Sequence, residues 1–511
     1  MASTETLSLS TQTPFGKEQL EEGLQRWPQS LRDCLTRASL FKGLQTKLQT
    51  DPEASKSLTK SLQTLSAAAT PLAPLLREPT QVEKEGYEQV CFTGTPWSQL
   101  NAIPFALVVF SLYKSYIVPG FSLLLPFVSF ILPYILLKLF YTIPLSFSDY
   151  TSIVWRMWNG QPMPRNPQDL LNPPPAPPTN AATQLKQLVQ NGWTLFTLGQ
   201  AMWQPIQQAR HFMRLDADCI SLGSSVVCVK EEIQNLCSSF GSWLPSWLAE
   251  FTRLCPTDIR QAFAFALETP FWLRHVFRAI GRFDVLVALA NRPDTVPVEF
   301  VNSAKPVLML KDFGDPSISV DRRILSSIRL GYKNPSHAIV TGPNRGGKSS
   351  FLRGVLINVQ MAHAFGVAFA KGAQMSQFTW IADGLRLDDH PGEVSMFERE
   401  VAFASGLVQK EGGQGLVLYD ELFHSTNPPD ATRTSHLFCE RLWKKPNCIS
   451  LISTHVYSLA RSAPTDRVKQ LCVAAWRHKE KFTFSYAVQK GVCEVSSVDM
   501  LLGQYRLVHP H

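Results

Sequence analysis

Residues 337–350 read HAIVTGPNRGGKSS, an apolar run followed directly by a glycine-rich loop. His337–Thr341 has the composition of a short buried strand, and the next eight residues match the pattern G-x-x-x-x-G-K-[ST]. In this pattern Gly342 and Gly347 let the backbone curl so that its N–H groups point toward phosphate oxygens. The stretch therefore predicts a phosphate-binding loop (P-loop) between a strand and a helix over Ser350–Phe365, as in an α/β nucleotide-binding domain.

The polar positions of this loop have defined chemical roles. The Lys348 ammonium reaches the β- and γ-phosphates of a nucleotide, and the Ser349 hydroxyl can bind Mg²⁺. We therefore predict ATP and Mg²⁺ as cofactors. The predicted ATP-binding residues are Gly342, Pro343, Asn344, Arg345, Gly346, Gly347, Lys348, Ser349 and Ser350.

A second apolar run, Gly415–Tyr419, ends in the acids Asp420 and Glu421. At a P-loop site the first acid, Asp420, holds Mg²⁺ through a water, and the second orients or deprotonates the attacking water. An acidic pair on a surface turn is the alternative, but the strand and the upstream P-loop favour the catalytic interpretation. A third apolar run, Ile449–Ser453, stands just before His455, which we predict to sense the γ-phosphate.

Together these motifs resemble the MutS family of DNA mismatch-repair ATPases, which are relatives of the ABC ATPases. The resemblance spans about Ile280–Leu502. It is carried by five stretches: GPNRGGKSS at 342–350, FLRGVLINVQMAHAFGVAFA at 351–370, SMFERE at 395–400, LVLYDELFHSTNPPDA at 416–431 and LISTHVYSLA at 451–460. Upstream, IGRFDVLVALA at 280–290 resembles the end of the helical lever that leads into the family's ATPase domain.

The resemblance implies a dimer in which two ATPase domains enclose two nucleotides. Ser395 would reach the nucleotide of the opposite subunit, and it joins Glu421 and His455 as a predicted catalytic residue. ATP would close the dimer around DNA, with contacts mainly to phosphates. The departures are Arg345 in place of methionine, Met396 in place of threonine, and Phe-His-Ser-Thr at 423–426 in place of a Gly-Arg-Gly-Thr loop.

A different signal occupies Gln89–Ser148, in which Lys114 and Lys138 are the only charged residues. Between these lysines lie 23 uncharged residues, enough to cross a hydrocarbon core of about 30 Å. We predict a transmembrane segment near Tyr116–Leu137. The alternative is an apolar segment that is buried inside a helical domain.

The composition of the chain excludes some classes of protein. The 511 residues are 45% hydrophobic and carry a net charge of +8, which excludes a wholly disordered chain and favours an anionic partner. Ten cysteines without a Cys-x-x-Cys pair, and an N-terminus without a signal-peptide pattern, predict an intracellular protein. The apolar segment predicts that this protein is associated with a membrane.

The predicted fold class is α plus α/β, a helical lever-like domain joined to an ABC-type P-loop ATPase domain, with a transmembrane segment. We divide the chain into a polar helical region at 1–100, a membrane-inserted segment at 101–148, a proline-rich linker at 149–180, a lever-like domain at 181–295 and the ATPase domain at 296–511. The predicted function is that of a MutS-like ATPase that binds DNA as a homodimer in mismatch repair or a related transaction. Two alternatives remain open: an ABC-type membrane ATPase for transport or membrane remodelling, and a nucleotide-gated scaffold.

Overall fold

The computed structural model describes residues 9–28, 30–77, 80–92, 94, 96–103, 105–140, 145–158, 180–385, 395–478 and 481–495. Contacts between residues divide the chain into two compact units. The sheet unit consists of Met1–Ser66, Asn235–Leu248 and His275–His511, and the helical unit consists of Ala67–Gln234 and Ala249–Arg274. This division differs from the linear order of the predicted segments, because the start of the chain belongs to the same unit as the P-loop.

Helices dominate the first 290 residues, as their apolar periodicity indicates. In chain order the helices are α1 Pro14–Gln25, α2 Leu31–Thr50, α3 Pro52–Leu76, α4 Gln81–Glu88, α5 Ala106–Leu112, α6 Val118–Leu139, α7 Phe147–Trp158, α8 Ala181–Phe240, α9 Trp247–Leu254, α10 Ile259–Glu268, α11 Pro270–Ala290, α12 Lys348–Phe365, α13 Met396–Gln409, α14 Pro428–Leu442 and α15 Tyr457–Ser462. Short 3₁₀ turns occupy Trp97–Ala102, Gly241–Trp243 and Val320–Arg322, and a π-helical turn occupies Tyr113–Ile117.

The described strands all lie in the sheet unit. They are β1 Val296–Pro297, β2 Glu299–Phe300, β3 Val307–Phe313, β4 Ser326–Gly331, β5 His337–Thr341, β6 Val367–Ala368, β7 Gly372–Met375, β8 Trp380–Gly384, β9 Gly415–Tyr419, β10 Cys448–Ser453, β11 Val468–His478 and β12 Lys481–Lys490. The largest sheet has the order β12-β11-β5-β10-β9-β8, in which neighbours are parallel except at the β11–β12 edge. A four-stranded sheet has the order β2-β7-β3-β4, and β1 pairs with β6.

The central strands of the large sheet are buried along their whole length. β5, β9 and β10 are neighbours, and every residue in them is buried. Uninterrupted apolar runs of this kind are typical of parallel strands that are covered on both faces. Because parallel neighbours end at the same edge, the residues that follow β5, β9 and β10 meet there.

Helix α12 joins the two larger sheets into one core. Its apolar side chains, such as Leu352 and Val355, are fully buried and pack in one cluster with Leu308 of β3 and Val340 of β5. The helix begins directly at the P-loop, so the packing of its apolar face fixes the position of the loop relative to the sheet.

The N-terminal helices are part of the same core. Asp284 accepts hydrogen bonds from the backbone N–H groups of Gln12 (3.1 Å) and Thr13 (2.7 Å). The Trp27 ring stacks on His363 of α12 with 4.4 Å between ring centroids, and Cys34 and Ala38 of α2 are buried in the cluster that contains α12. Residues of the predicted 1–100 region therefore complete the sheet unit.

The long apolar segment is one helical run. α5, the π turn and α6 form a continuous stretch, Ala106–Leu139, of 34 residues with a mean hydropathy of 2.1, and none of its most apolar window is buried. Length and composition alone would let this helix cross a membrane. Pro126 and Pro133 lie inside α6, where the Ser129 hydroxyl donates to the Pro126 carbonyl (2.9 Å).

Two further predicted segments differ in detail from the structure. The predicted linker at 149–180 begins inside α7, and its residues 159–179 lie outside the described part of the chain. The predicted lever-like region at 181–295 is helical through α8–α11, but its residues are divided between the two units. Apolar residues at helical spacing in α11 are all buried: Leu273, Val276, Phe277, Ile280, Phe283 and Val287.

Candidate nucleotide-binding site

The P-loop lies between β5 and α12, as the sequence predicts. Three of its residues have positive φ angles: Gly342 (144°), Arg345 (63°) and Gly347 (102°). A Cβ atom at Gly342 would approach the Val473 carbonyl oxygen to 2.8 Å, so both the φ angle and the close backbone contact favour glycine. The resulting curl is the shape that turns successive backbone N–H groups toward an anion.

Lys348 is the first residue of α12 and is only 4% exposed. Its ammonium donates to the carbonyl oxygens of Gly342 (2.8 Å) and Pro343 (3.1 Å). Burial lowers the pKa of this ammonium, while the nearby carboxylates of Glu421 and Asp420 raise it. A buried cation inside a curled glycine-rich loop is a donor set that fits a polyphosphate.

The acidic pair follows β9 at the same edge of the sheet. Ser453, the last residue of the neighbouring strand β10, donates its hydroxyl to the Asp420 carboxylate and accepts from the backbone N–H of Glu421 (2.8 Å). Glu421 has a φ of 51°, an uncommon conformation that this hydrogen bond helps to hold. Both acids are partly accessible to solvent.

His455 completes the cluster from the end of β10. Its Nε2 lies 3.4 Å from the Lys348 ammonium and 3.8 Å from a carboxylate oxygen of Glu421. The pKa of His455 is lowered by burial and by the Lys348 charge. The carboxylates of Glu421 and Asp420 oppose this shift only in part. A neutral imidazole at this position can accept a hydrogen bond from the Lys348 ammonium or donate one to the Glu421 carboxylate.

The donor set also suits Mg²⁺ in the presence of a nucleotide. Ser349 is exposed at the start of α12, and Asp420 is partly accessible. No group of three or more His, Cys, Asp or Glu side chains comes together as a metal cluster within the described ranges. Mg²⁺ bound with a nucleotide needs fewer protein ligands, because phosphates and waters supply the remainder.

Ser395 lies outside this cluster, on the exposed N-terminus of α13. Its hydroxyl accepts a hydrogen bond from the backbone N–H of Glu398 (3.2 Å), so it caps the helix. An exposed serine at a helix N-terminus is accessible to a second molecule.

Sequence reasoning missed a buried carboxylate on α13. Glu400 is 0% exposed, accepts a hydrogen bond from the Ser425 hydroxyl, and has the His424 Nδ1 atom 3.0 Å from its Oε1. Ser425 and His424 stand in the loop that replaces the family's Gly-Arg-Gly-Thr, so the altered loop contacts the signature helix. The sequence signals were the departure in this loop and the position of Glu400 at the end of the SMFERE stretch.

Two other features of the site were not predicted by the sequence patterns. Ser453 links the two acids, although in sequence it is one small residue at the end of an apolar run. A cavity of about 100 Å³ lies beside Gly347 and is lined in part by Phe313, Arg323 and Tyr486. These three side chains come from separate strands and turns, and only the folded chain brings them to the P-loop.

Comparison with known proteins gives an independent view of this region. Residues 338–500 match the family described as MutS domain V. Over 227 residues the chain is 28% identical to the DNA mismatch repair protein spellchecker 1 of Drosophila melanogaster. That alignment covers 42% of this chain and 25% of the fly protein, so the chain spans about a quarter of that relative's length.

The matched domain begins within β5 and includes the P-loop, the acidic strand and His455. Its mixed helices and strands, with a loop between β5 and α12, agree with a P-loop ATPase fold. Residues 338–500 therefore carry the similarity of this chain to the MutS family.

Proposed function

We propose that this protein is a MutS-like ATPase that binds and hydrolyses ATP with Mg²⁺ and couples this cycle to DNA binding. One observation carries the proposal. Lys348, the Asp420–Glu421 pair and His455 meet at the ends of three neighbouring strands, with the ammonium 3.4 Å from the histidine ring and that ring 3.8 Å from Glu421.

In this proposal each residue has a separate task. The P-loop backbone and Lys348 bind the phosphates, and Ser349 and Asp420 hold Mg²⁺, which neutralises charge that develops on the phosphates. Glu421 positions and deprotonates the attacking water. His455 is the γ-phosphate sensor, and Ser453 holds both acids in place through its hydroxyl.

The proposed assembly is a homodimer through the ATPase domains, with Ser395 of one subunit completing the nucleotide site of the other. The exposure of Ser395 at the start of α13 is compatible with that role. DNA would be held mainly through its phosphates, and affinity would therefore fall steeply with salt. The fly relative is a DNA mismatch repair protein, which supports a role in that pathway or a related one.

We further propose that the protein is an intracellular one tethered to a membrane through Ala106–Leu139. Side chains such as Phe121, Leu124 and Phe127 are more than half exposed along this helix, which is unfavourable in water. The same helix favours the alternative of an ABC-type membrane ATPase. One span is too few to line a transport pathway, so the DNA-coupled function is preferred.

ATP turnover by the purified chain, measured with and without DNA, tests the proposal. We expect DNA-stimulated hydrolysis that falls by orders of magnitude in Glu421→Gln, which keeps shape but removes the carboxylate. Glu411→Gln, at an exposed position before β9, is the matched control. Turnover that is indifferent to DNA but rises with lipid would favour the membrane ATPase, and ATP binding without turnover would favour a scaffold.

A further inference from the structure

The sheet unit contains a second cavity, of about 370 Å³, away from the P-loop. Its walls are mainly apolar and include Leu40 of α2, Trp243, Phe283 of α11 and Phe365. Phe365 is the last residue of α12, whereas the P-loop precedes its first residue. The 18 residues of α12 separate the two places by roughly 27 Å, at about 1.5 Å per residue.

Two arginines, Arg37 of α2 and Arg282 of α11, line this apolar cavity. The part of the lining that the structure describes contains no acidic side chain. Arg37 is held by a hydrogen bond to the His363 carbonyl oxygen. The pKa of the Arg282 guanidinium is lowered by burial and by the charges of Arg37 and Arg26. The Glu22 carboxylate opposes this shift only in part.

This combination of charge and apolar surface favours an anionic ligand. Two guanidinium groups of like charge lie against apolar walls, where charge is less well solvated than in bulk water. An anion between them would remove the repulsion, and planar guanidinium groups match the oxygens of phosphate and carboxylate in a bidentate manner. The apolar walls would at the same time cover an apolar group attached to that anion.

We propose that the Arg37–Arg282 cavity is a binding site for a small amphipathic anion, a phosphate or carboxylate group joined to an apolar body about the size of a naphthalene ring. Both guanidinium groups are anion ligands, because the one hydrogen bond from Arg37 to the His363 carbonyl uses only one of its five N–H donors. Trp243 and Phe283 cover the apolar body. This site is separate from the proposed nucleotide site and does not depend on ATP hydrolysis.

Calorimetric titration of the full chain with 1-naphthyl phosphate tests the proposal. We expect one site per chain, with a dissociation constant on the order of 0.1 to 1 mM. Inorganic phosphate lacks the apolar body and 1-naphthol lacks the charge, so each should bind at least ten-fold more weakly. The two compounds separate anion binding alone from apolar binding alone.

Two variants test whether the ligand binds in this cavity. Arg282→Gln removes the charge and should weaken binding by about ten-fold or more. Ala279→Phe keeps both arginines but fills the volume beside them, and should have a similar effect. Arg253→Gln removes one exposed charge from the helical unit and should bind as the unaltered chain does.

Equal binding of 1-naphthol and 1-naphthyl phosphate would overturn the charge recognition. Unchanged affinity in both Arg282→Gln and Ala279→Phe would place the ligand elsewhere, such as the P-loop, and would overturn the site. The absence of measurable binding by the unaltered chain would do the same. Thermal melting of each variant without ligand checks that Arg282→Gln and Ala279→Phe remain folded.

Discussion

The Ser425 hydroxyl donates a hydrogen bond to the Glu400 carboxylate, and this contact ties the loop after the acidic strand to helix α13. Glu400 lies five residues after Ser395, and Ser425 lies four residues after Glu421. A single buried carboxylate therefore connects the proposed catalytic acid of one site with the serine proposed to act in the other.

Loss of that contact should destabilise the sheet unit. Ser425→Ala leaves the fully buried Glu400 carboxylate with one donor fewer, and we expect the free energy of unfolding to fall by about 1–3 kcal/mol. Ser405→Ala, on the exposed side of α13, should change it by less than about 0.5 kcal/mol. Denaturant titration measures both. Equal effects of the two substitutions would show that the Ser425 contact contributes nothing specific.

The charge of Lys348 should be detectable in the titration of His455. Lys348→Met removes a positive neighbour that lowers the pKa of His455, so that pKa should rise. NMR titration of the ring protons measures it, and Lys333→Met at an exposed position is the control. The same substitution should abolish ATP binding. A pKa that stays constant or falls would contradict the observed proximity.

The proposed role of Ser395 across the dimer can be separated from its capping role. Ser395→Ala removes both the hydroxyl and the cap, at a cost of about 1 kcal/mol in stability. Ser395→Asn keeps a capping side chain but removes the hydroxyl. If the hydroxyl contacts nucleotide, both variants should have low turnover. Recovery of normal turnover in Ser395→Asn would assign the effect to the helix cap alone.

A subunit-mixing assay extends the test of Ser395. When Ser395→Ala and Lys348→Ala chains exchange, a site that combines the intact P-loop of one subunit with the intact serine of the other should restore turnover above either parent. Verified exchange without such recovery would argue against the composite site.

Acid should destabilise the sheet unit through His363. Its Nε2 accepts from the Phe378 backbone N–H (2.9 Å) and its Nδ1 lies 2.8 Å from the Val359 carbonyl, so the buried ring is held neutral. Burial lowers the pKa of His363 from 6.5 to about 4. The pKa of His363 is lower in the folded chain than in the unfolded chain. The neutral ring therefore contributes its full stability above pH 6.5, and this stability is lost as the pH falls from 6.5 to 4.

The expected loss from His363 alone is about 2 kcal/mol between pH 7 and pH 5. Denaturation midpoints across this range measure it. His363→Gln should be less stable at pH 7 but should depend less on pH, whereas His211→Gln at an exposed position should leave the dependence unchanged. An undiminished pH dependence in His363→Gln would exclude this ring as the cause.

The helix Ala106–Leu139 should direct the chain to membranes. We expect the full chain to sediment with membranes and to resist carbonate extraction. Leu124→Lys with Val128→Lys should release it, because each charge near a bilayer centre costs about 3 kcal/mol. Leu188→Lys on the exposed surface of α8 is the control. Removal of residues 101–145 should leave a soluble chain that still binds ATP.

Recovery of the unaltered chain as a soluble, monodisperse particle without detergent would contradict the membrane prediction. The apolar segment would then form contacts with protein, and removal of residues 101–145 should unfold the helical unit instead of releasing it.

Sequence patterns predicted the local parts of the site well. The buried strands β5, β9 and β10 and the helix α12 lie where uninterrupted apolar runs and the P-loop indicated, so Lys348, Asp420 and His455 were correctly assigned to strand and helix ends. The roles of these residues remain predictions.

Contacts between distant segments could not be predicted. Ser453 holds two acids only because β10 pairs with β9, and Glu400 meets Ser425 only after α13 and the loop after β9 pack together. For the same reason a linear division of the chain separated α1 and α2 from the sheet unit. Their apolar faces have helical spacing, but spacing does not identify the surface that they cover.

The packing of the N-terminal helices has a consequence for biosynthesis. The Trp27 indole N–H donates to the Phe378 carbonyl oxygen across 351 residues of sequence. A ribosome that adds about 5 to 20 residues per second needs roughly 20 to 70 s to reach Phe378 after Trp27. During that interval the Trp27 indole lacks its Phe378 partner, while the hydrophobic helix at 106–139 has already been made. Early capture of that helix by the insertion machinery would hold the nascent chain at a membrane before its sheet unit can form.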